Sequence, residues 1–560
     1  MKLFARSIYL LVLLYMHVTC LFGQIEHGGS PMMNNKDFHP EKVLYLLEPE
    51  DPEYVEGLKS TQFSSYKKAL EFATERAVDL SPEQNGEWTE VDGIAVWRAH
   101  IISPEALSVG VFFSEFELEE NARLFIYTPN GSVVKGAFTS ENNKEYGSFA
   151  VGHLPGEEVI VELQVDDPGQ EYGRIRIGSI SHAFLPVPGI EGVQVTGLGT
   201  SQACEIDVNC TEGDDWQTLK RSVCHIYTGT LYCTGALINN TMYDGVPYIL
   251  TAEHCINSNS VSNRSVFYFN YENSKCDTLD GKKTNSISGS TLYSTGDSLD
   301  FSLVKLSSRP PLAYNVYYAG WDARKQNHAD VTTIHHPNAD AKKISRDYDE
   351  LTTPTVVPGN LNDYIEESNF RVYEWDEGST EGGSSGGPLF SSGNKIIGSL
   401  SGGDAFCGDS IGYDAVNDRV IFSLSDNRND YFSKLYYNWD HYYAYNKQLK
   451  RWLDPEGSGQ LVLGGMDPGT LDAETRELPE IELLLFPNPA TDRVYIQMEE
   501  YTGNDLAVEI LDMTGRCMSE NKIPADFPAE ISVAGLPPGL YLVRVRMVDG
   551  MIAGRLLINQ

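Results

Sequence analysis

Seven of the nine cysteines in this chain lie between Cys204 and Cys407, and this cluster constrains the fold more than any other feature. Clustered cysteines without repeated short Cys-x-x-Cys pairs are typical of disulfide bonds in an exported protein rather than of a metal site. We therefore expect six of the seven to pair, which leaves one thiol free. We expect no metal.

The first residues follow the order of a secretory signal. Lys2 and Arg6 precede an apolar run over residues 8–22, and Gly23 follows it. This order predicts a signal peptide over residues 1–23 and a mature chain that starts at Gln24. Cys20 lies inside the signal, where the preceding residues are a poor match to a lipoprotein site. No later apolar run is long enough for a transmembrane helix, so we expect an exported, soluble protein.

The length and the charge of the chain narrow its class. A chain of 560 residues exceeds what one hydrophobic core usually supports, so several domains are expected. The formal charge of −37 argues against nucleic acid as a partner, because nucleic-acid binding depends on basic side chains that neutralise phosphates. A cationic substrate or a role in solubility fits this charge better. Nothing in the sequence requires an oligomer, and we expect a monomer.

Short strands separated by turns are predicted between residues 88 and 186. Their segments are rich in β-branched and aromatic residues, and Pro-Asn-Gly and Leu-Pro-Gly turns separate them. This pattern favours a β-sandwich without chemistry, within a propeptide over residues 24–200; a carbohydrate-binding or adhesive role is the alternative. The Gly-rich stretch over residues 189–202 is the expected processing linker.

A second strand-rich region follows over residues 201–467. It ends in a helical pattern at residues 446–453, where Leu449, Trp452 and Leu453 fall on one face. An acidic stretch over residues 468–482 is expected to be an extended linker. Residues 483–560 are again strand-rich and predict a small β-sandwich. The fold class is therefore all-β and multidomain.

The strongest chemical signal is the segment GGSSGGPLF over residues 382–390. A serine hydroxyl is a weak nucleophile, so it needs a base and a pair of donors for the oxyanion that forms on an attacked carbonyl. The surrounding glycines allow the N–H groups of Gly383 and Ser385 to point into one oxyanion hole. Ser385 is the candidate nucleophile.

Two further segments supply candidates for the base and its partner. The apolar segment YILTAEHC delivers His254 beside Cys255, and a histidine can accept and return a proton near neutral pH. The segment LDFSLVKL places Asp300 at the start of a strand, where its carboxylate can orient the imidazole. Asp297, in a polar loop, is the competing aspartate.

The order His, Asp, Ser in these contexts resembles the chymotrypsin clan, and within it the bacterial lysyl endopeptidases. The resemblance covers about residues 204–455 and includes further landmarks in order: CEIDVNC at 204–210, GWD at 320–322, IHHPN at 334–338 and WLDP at 452–455. It implies a double β-barrel serine protease, made as a latent zymogen, with His254, Asp300 and Ser385 as the triad and without a cofactor. His335 and His336 are interpreted as structural.

The family's disulfides, carried over by position, join Cys204 to Cys407, Cys210 to Cys276 and Cys233 to Cys255. The first closes a loop of about two hundred residues, which is worth on the order of 4 to 5 kcal/mol in the chain-entropy model. Cys224 is then expected to be a buried free thiol, and Cys517 in the tail is unpaired.

The resemblance also implies a primary pocket for lysine. In the family an aspartate pairs with the substrate ammonium, and Asp430 stands in the segment similar to the one that carries it. An apparent insertion over residues 408–429 leaves Asp414 and Asp418 as rivals. Ser401 replaces a histidine of the relatives, which puts the activity and its pH dependence in question. Arginine remains an alternative to lysine.

The tail resembles the C-terminal sorting domain used by type IX secretion. It carries LFPNPATD at residues 485–492 and GLYLVRV at 539–545. The resemblance implies passage through the type IX machinery, and a protein that is secreted or attached to the outer cell surface. The expected function is a secreted endopeptidase that cleaves protein and peptide substrates after basic residues. An inactive surface adhesin or binding protein with a protease fold is the alternative.

Overall fold

The computed structural model describes residues 26–32, 44–61, 68–166, 169–190, 200–355, 364–408, 410–414, 419–422, 428–468, 483–498, 506–512, 517–523, 528–547 and 550–559. The predicted signal peptide lies outside these residues. Two compact units divide the chain, Met1–Gly469 and Thr470–Gln560. None of the helices in the described ranges has the length and apolar character needed to span a membrane.

The amino-terminal part of the first unit is a β-sandwich. Its sheets have the strand orders β1-β5-β10-β7-β8, with β4 on β5, and β3-β11-β6-β9. Apolar side chains from both sheets, among them Trp97, Val111 and Leu124, form one buried core. The predicted sandwich is therefore confirmed. The elements are β1 (Leu44–Leu46), α1 (Pro52–Thr61), β2 (Leu70–Glu71), β3 (Ala73–Leu80), β4 (Glu87–Val91), β5 (Ile94–Ile102), β6 (Ser108–Leu118), β7 (Ala122–Tyr127), β8 (Val134–Phe138), β9 (Phe149–Pro155), β10 (Glu158–Val165) and β11 (Gly173–Ala183).

Two curved sheets form the second part of this unit. The strands and helices are β12 (Ile206–Asp207), β13 (Val223–Tyr227), β14 (Leu231–Ile238), β15 (Tyr248–Thr251), α2 (Asn259–Arg264), β16 (Val266–Phe269), β17 (Asn285–Ser288), β18 (Ser290–Gly296), β19 (Phe301–Leu306), β20 (Trp321–Asp322), β21 (Ala329–His335), β22 (Lys343–Glu350), β23 (Asn369–Glu374), β24 (Pro388–Ser391), β25 (Ile396–Gly403), β26 (Ser410–Asp414), β27 (Arg419–Phe422), β28 (Arg428–Lys434), α3 (Leu435–Asp440), α4 (Lys450–Leu453) and β29 (Val462–Leu463).

The strand orders of these sheets define two half-barrels. The first sheet runs β17-β16-β13-β14-β15-β19-β18, and the second runs β12-β22-β21-β24-β25-β20-β29 with β28 on β25 and β23 on β28. One buried cluster contains residues of both sheets, including Leu250 and Phe301 from the first and Trp321 and Phe390 from the second. This all-β arrangement confirms the predicted fold class and brings loops of the two sheets together.

The strand β2 links the sandwich to the first half-barrel. It lies antiparallel to β14, with Leu70 opposite Tyr232 and Glu71 opposite Leu231. Phe72, the next residue, stacks on Tyr232 with ring centroids 4.1 Å apart. The chain then continues into β3 of the sandwich, so this short segment belongs to both parts.

The helix predicted at residues 446–453 is shorter in the structure. A 3-10 turn covers Tyr445–Lys447, and α4 contains only Lys450–Leu453. Gln448 separates them because its backbone is extended, with φ −131° and ψ 123°. Leu449 and Leu453 are nevertheless buried, as the periodic pattern indicated.

The second unit contains two small sheets. Their orders are β30-β31-β34 and β33-β32-β35-β36, and a separate core includes Val494, Val508 and Val543. This matches the predicted small β-sandwich. The strands are β30 (Leu483–Phe486), β31 (Arg493–Met498), β32 (Leu506–Asp512), β33 (Cys517–Ile523), β34 (Ala529–Ser532), β35 (Gly539–Met547) and β36 (Gly550–Ile558).

Candidate active site

His254, Asp300 and Ser385 are far apart in the sequence, and in the structure His254 lies within hydrogen-bond distance of both of the other two. His254 Nδ1 lies 2.9 Å and 3.0 Å from the two carboxylate oxygens of Asp300. On the other side of the ring, Nε2 lies 2.7 Å from Ser385 Oγ. In this arrangement the imidazole can take the hydroxyl proton while the carboxylate holds the opposite N–H.

Each of the three side chains is held by a local feature of the backbone. His254 follows β15, and the adjacent Cys255 is bonded to Cys233 of β14. Asp300 stands immediately before β19 in a left-handed conformation, with φ 51° and ψ 52°. Ser385 lies in the tight loop before β24. The active groups therefore sit at the ends of strands, where the barrel fixes the backbone and leaves the side chains free to converge.

The glycine at position 383 is required by the shape of the serine loop. Its φ is +98°, and a Cβ atom there would lie 2.6 Å from the carbonyl oxygen of His336. Both facts exclude other residues without a shift of the backbone. The sequence motif thus has a steric cause in this loop.

The backbone N–H groups of Gly383 and Ser385 converge on one acceptor. Both donate to the carbonyl oxygen of Lys68, at 2.6 Å and 3.1 Å respectively. Two N–H groups that share one carbonyl oxygen beside a serine hydroxyl have the geometry of an oxyanion hole. Lys68 was not singled out from the sequence, where the only signal is a pair of adjacent lysines before a strand.

Asp300 is buried, and burial by itself raises the pKa of a carboxyl group. The neighbouring His254 more than offsets this effect through its charge and its N–H groups, so the pKa of Asp300 lies below its ordinary value of 3.8. Asp297 is the predicted competitor, and its exposed carboxylate instead pairs with Lys447 at 3.1 Å. The structure brings Asp300, not Asp297, to the imidazole.

Tyr364 is a neighbour of Asp300 that carries no sequence signal. Burial first, and then the charge of Asp300, raise the pKa of its phenol far above 10.0. The phenol therefore stays neutral near the carboxylate. Ser401, the position where the relatives have a histidine, lies in β25 and is fully buried.

Asp430 is fully buried, and the side chain of Lys68 extends from the serine loop to its carboxylate; we call the space that this side chain fills the Asp430 pocket. Its Oδ2 accepts hydrogen bonds from Trp375 Nε1 at 2.7 Å and from Thr380 Oγ1 at 2.6 Å. Its Oδ1 lies 3.5 Å from Lys68 Nζ. One carboxylate oxygen is thus fixed by the protein, and the other faces a lysine ammonium. Of the rival aspartates, Asp418 lies outside the described residues.

The other rival, Asp414, belongs to the β26-β27 hairpin, of which the structure describes the backbone at this position. The side chain of Asp414 lies outside the described part of the chain.

Both ring nitrogens of His335 and one ring nitrogen of His336 have protein partners. His335 lies 2.8 Å from Ser384 Oγ and 3.1 Å from Ser345 Oγ, and His336 Nδ1 lies 3.0 Å from the carbonyl oxygen of Asp340. Burial, reinforced by nearby lysines, lowers the pKa of His335 to about 3, so its ring is neutral. These contacts hold the loop residue that precedes Ser385, in line with the structural interpretation.

The structure contains the three disulfides that the resemblance implied: Cys204–Cys407, Cys210–Cys276 and Cys233–Cys255. Cys224 is a free, buried thiol, and burial raises its pKa to about 12. At pH 7 it is therefore a protonated, unreactive side chain. The side chain of Cys517 lies outside the described part of the chain.

Comparisons with known proteins identify two parts of the chain. Residues 198–418 match the family model described as lysyl endopeptidase, C-terminal domain. Residues 484–559 match the model described as secretion system C-terminal sorting domain. A lysyl endopeptidase from Pseudomonas aeruginosa is 26% identical over 259 residues, which cover 42% of this chain and 50% of the relative. The chain therefore spans about half the length of this curated relative.

Among solved structures, the chain is similar to kallikrein-related peptidase 10, with 16% sequence identity and a TM-score of 0.25. The match covers 39% of this chain and 91% of that one. A Glu endopeptidase structure is 17% identical, with 38% and 85% covered and a TM-score of 0.23. The family models confirm the resemblance that the motifs indicated: the chain contains a region similar to the lysyl endopeptidase C-terminal domain, followed by a region similar to a secretion system C-terminal sorting domain, which indicates secretion and delivery to the cell surface.

Proposed function

We propose that this protein is a secreted serine endopeptidase that hydrolyses peptide bonds on the carboxyl side of lysine and is made as a zymogen. The contact between His254 Nε2 and Ser385 Oγ, with Asp300 on the opposite ring nitrogen, carries the proposal. The similarity of residues 198–418 to the lysyl endopeptidase model supports it.

In the proposed reaction, Ser385 Oγ attacks the substrate carbonyl carbon while its proton passes to His254 Nε2. The N–H groups of Gly383 and Ser385 stabilise the oxygen as it becomes negative. His254 then gives the proton to the leaving amine, and the ester formed on Ser385 is hydrolysed by water through the same steps. Asp300 orients the ring and stabilises the imidazolium. No cofactor takes part.

The preference for lysine is inferred from the acceptors around the pocket. Asp430 offers one charged oxygen, and the carbonyl oxygens of Thr380 and Ala405 also receive hydrogen bonds from the ammonium of Lys68. An ammonium has three N–H groups, so these three acceptors can satisfy all of them. A guanidinium is longer and planar, and we therefore expect arginine to fit less well.

The sorting domain points to the type IX secretion machinery as a partner of the tail, and the pocket points to protein and peptide substrates that contain lysine. Residues 24–200 act as the propeptide in this proposal, residues 201–467 as the protease domain, residues 468–482 as a linker and residues 483–560 as the sorting domain.

A peptide series that differs only in the residue before the cleaved bond tests the specificity. We expect kcat/KM for lysine to exceed that for glutamine by about 100-fold or more, because an unpaired buried carboxylate costs about 3–5 kcal/mol. Asp430→Asn should lower the lysine value by a similar factor while leaving the glutamine value nearly unchanged. Equal rates for lysine and glutamine in the wild type would contradict the assignment of Asp430.

A further inference from the structure

Lys68 of the propeptide occupies the candidate active site as a substrate residue would. Its carbonyl oxygen accepts from the N–H groups of both Gly383 and Ser385, the residues of the oxyanion hole. The bond between Lys68 and Ala69 therefore lies where Ser385 acts. Among the described residues, these two N–H groups donate to no other backbone carbonyl.

The side chain of Lys68 fills the pocket that ends at Asp430. Only 7% of this side chain is exposed, and its ammonium lies 3.5 Å from Asp430 Oδ1. It also donates to the carbonyl oxygen of Thr380 at 2.6 Å and to that of Ala405. The serine loop thus binds the carbonyl oxygen of Lys68, and Asp430 with two carbonyl oxygens binds its ammonium. Both sets of contacts are made to the same residue.

The residues after Lys68 are held as an added strand. Leu70 and Glu71 pair with β14 in antiparallel register, and the N–H of Phe72 donates to the carbonyl oxygen of Thr230 at 3.1 Å. Extended backbone pairing of this kind is the usual way in which a peptide is bound beside a sheet edge. Phe72 on Tyr232 adds an aromatic anchor. The chain is therefore fixed on the leaving side of the Lys68–Ala69 bond as well.

We propose that the precursor is its own first substrate and cleaves itself between Lys68 and Ala69. This inference rests on the proposed endopeptidase function and adds to it a specific bond in the same chain. Until that bond is cut, the segment blocks the site against other substrates, which makes the precursor latent.

The chemistry follows the proposed reaction and balances with one water molecule. Ser385 Oγ bonds to the carbonyl carbon of Lys68 as the C–N bond to Ala69 breaks, and the proton from Ser385 passes through His254 to the new amine of Ala69. Water then hydrolyses the ester, which regenerates Ser385 and leaves a carboxylate on Lys68. The cleavage requires no second protein molecule, because substrate and site belong to the same chain.

This cut differs from the one expected at residues 189–202. Cleavage after Lys68 breaks the covalent link between residues 24–68, whose β1 pairs with β5, and the rest of the chain. It leaves the strands β3–β11 covalently attached to the protease region. Opening of the site then needs only the departure of Lys68 from the Asp430 pocket. Any cut in the later linker is a separate event.

The test follows full-length precursor by intact-mass spectrometry and by the mass of the amino-terminal peptide, at two protein concentrations tenfold apart. We expect a chain that begins at Ala69, formed at the same first-order rate at both concentrations. Lys68→Gln should slow its formation by about 100-fold or more, and Ser385→Ala should abolish it. The control is Lys59→Gln. Lys59 lies in α1 of the same propeptide and its side chain is exposed, so this change should have no effect on the rate of cleavage.

A short lysyl peptide substrate, assayed in parallel, separates this inference from the proposed function. If the wild type hydrolyses the peptide but keeps the Lys68–Ala69 bond intact, self-cleavage at Lys68 is wrong and the endopeptidase function stands. If neither the peptide nor the chain is cut, the proposed function itself fails. A Lys68→Gln chain that yields the Ala69 terminus at the wild-type rate would also overturn the inference.

A second measurement does not depend on how the Lys68 variant folds. Ser385→Ala precursor is treated with an added lysine-specific protease, and the cut sites are mapped over time. We expect cleavage after Lys59 at least about tenfold faster than after Lys68, because Lys68 is enclosed in the pocket. Equal rates at the two lysines in folded protein would show that Lys68 does not occupy the site.

Discussion

At the scale of single residues, the contrast between Asp300 and Asp297 shows how the fold selects a side chain. The two aspartates are three positions apart, and only Asp300 contacts the His254 ring. Asp297 is in the preceding 3-10 turn and pairs with Lys447. The left-handed backbone of Asp300 turns its carboxylate inward as the chain enters β19.

Replacement of Asp300 by Asn is expected to reduce kcat by about 10³-fold or more, because the amide favours the wrong tautomer of His254. KM should change little, since Asp300 is not in the lysine pocket. The matched control is Asp297→Asn, which should retain wild-type kcat. Steady-state kinetics on a lysyl peptide measures both; equal losses in the two variants would contradict the role of Asp300.

A buried pair of glutamates near the serine loop gives a pH-dependent term in stability. Burial raises the pKa of Glu205 well above 4.5, and burial also raises that of its neighbour Glu381 to about 7. Because the folded protein holds these protons more tightly than the unfolded chain does, their contribution is present below pH 4.5 and is lost as the pH rises through about 7.

We therefore expect Glu381→Gln to reduce the loss of unfolding free energy between pH 4.5 and pH 7. The glutamine keeps an oxygen to accept the N–H of Gln202, which now bonds Glu381 at 2.8 Å. Urea unfolding across this range measures the effect. The same change at exposed Glu120 should leave the profile unaltered; an unchanged profile in Glu381→Gln would show that this carboxyl does not contribute.

At the scale of elements, much of the strand pattern could be predicted from the sequence, because alternating and β-branched segments specify strands locally. The segment at residues 108–113, for example, lies in β6. The helix at residues 446–453 was predicted too long, because its periodicity came from Leu449 and Leu453 while Gln448 is extended. The serine motif is predictable because Gly383 has a local steric cause. The histidine and aspartate motifs are predictable because each adjoins an apolar strand segment, β15 for His254 and β19 for Asp300.

The contact of Lys68 with the site could not be predicted in the same way. The pairing of β2 with β14 joins residues about 160 positions apart, and no local pattern encodes such a partner. Two residues, Leu70 and Glu71, are too few to show a periodicity. Tyr364 near Asp300 was missed for a similar reason, since a single tyrosine in a loop carries no spacing signal.

Removing the two disulfides Cys204–Cys407 and Cys233–Cys255 one at a time should affect stability and catalysis to different degrees. Removal of Cys204–Cys407, with a sequence separation of 203, should cost about 5 kcal/mol of unfolding free energy, and removal of Cys233–Cys255, with a separation of 22, about 3 kcal/mol. We expect the shorter bridge to matter more for kcat, because it holds the residue beside His254.

Denaturant unfolding and steady-state kinetics on the double-alanine variants measure both effects. Cys224→Ala is the control, since this cysteine is unpaired; it should keep full activity and lose only a small amount of packing energy. A larger loss of kcat on removal of Cys204–Cys407 than of Cys233–Cys255, in chains of equal folded fraction, would contradict the positioning role.

At the scale of the whole molecule, the division after Gly469 separates the candidate site from the tail. All the residues of the triad, the oxyanion hole and the pocket belong to the first unit, and the second has its own core. We expect a chain that ends at Gly469 to keep the kcat/KM and the thermal midpoint of the first unit in the full-length protein. Loss of activity on truncation would show that the tail supports the site.

In the proposed reaction, the fold makes Ser385 a nucleophile through its contact with His254. The most direct measurement uses protein cut after residue 68, either by itself or by an added lysine-specific protease. This protein reacts with a fluorophosphonate probe, and the labelled peptide is located by mass spectrometry. We expect one adduct on Ser385, lost in Ser385→Ala and strongly reduced in His254→Ala. Folded, processed protein that remains unlabelled, or that carries the label on another residue, would contradict the proposed reaction and favour an inactive protein with a protease fold.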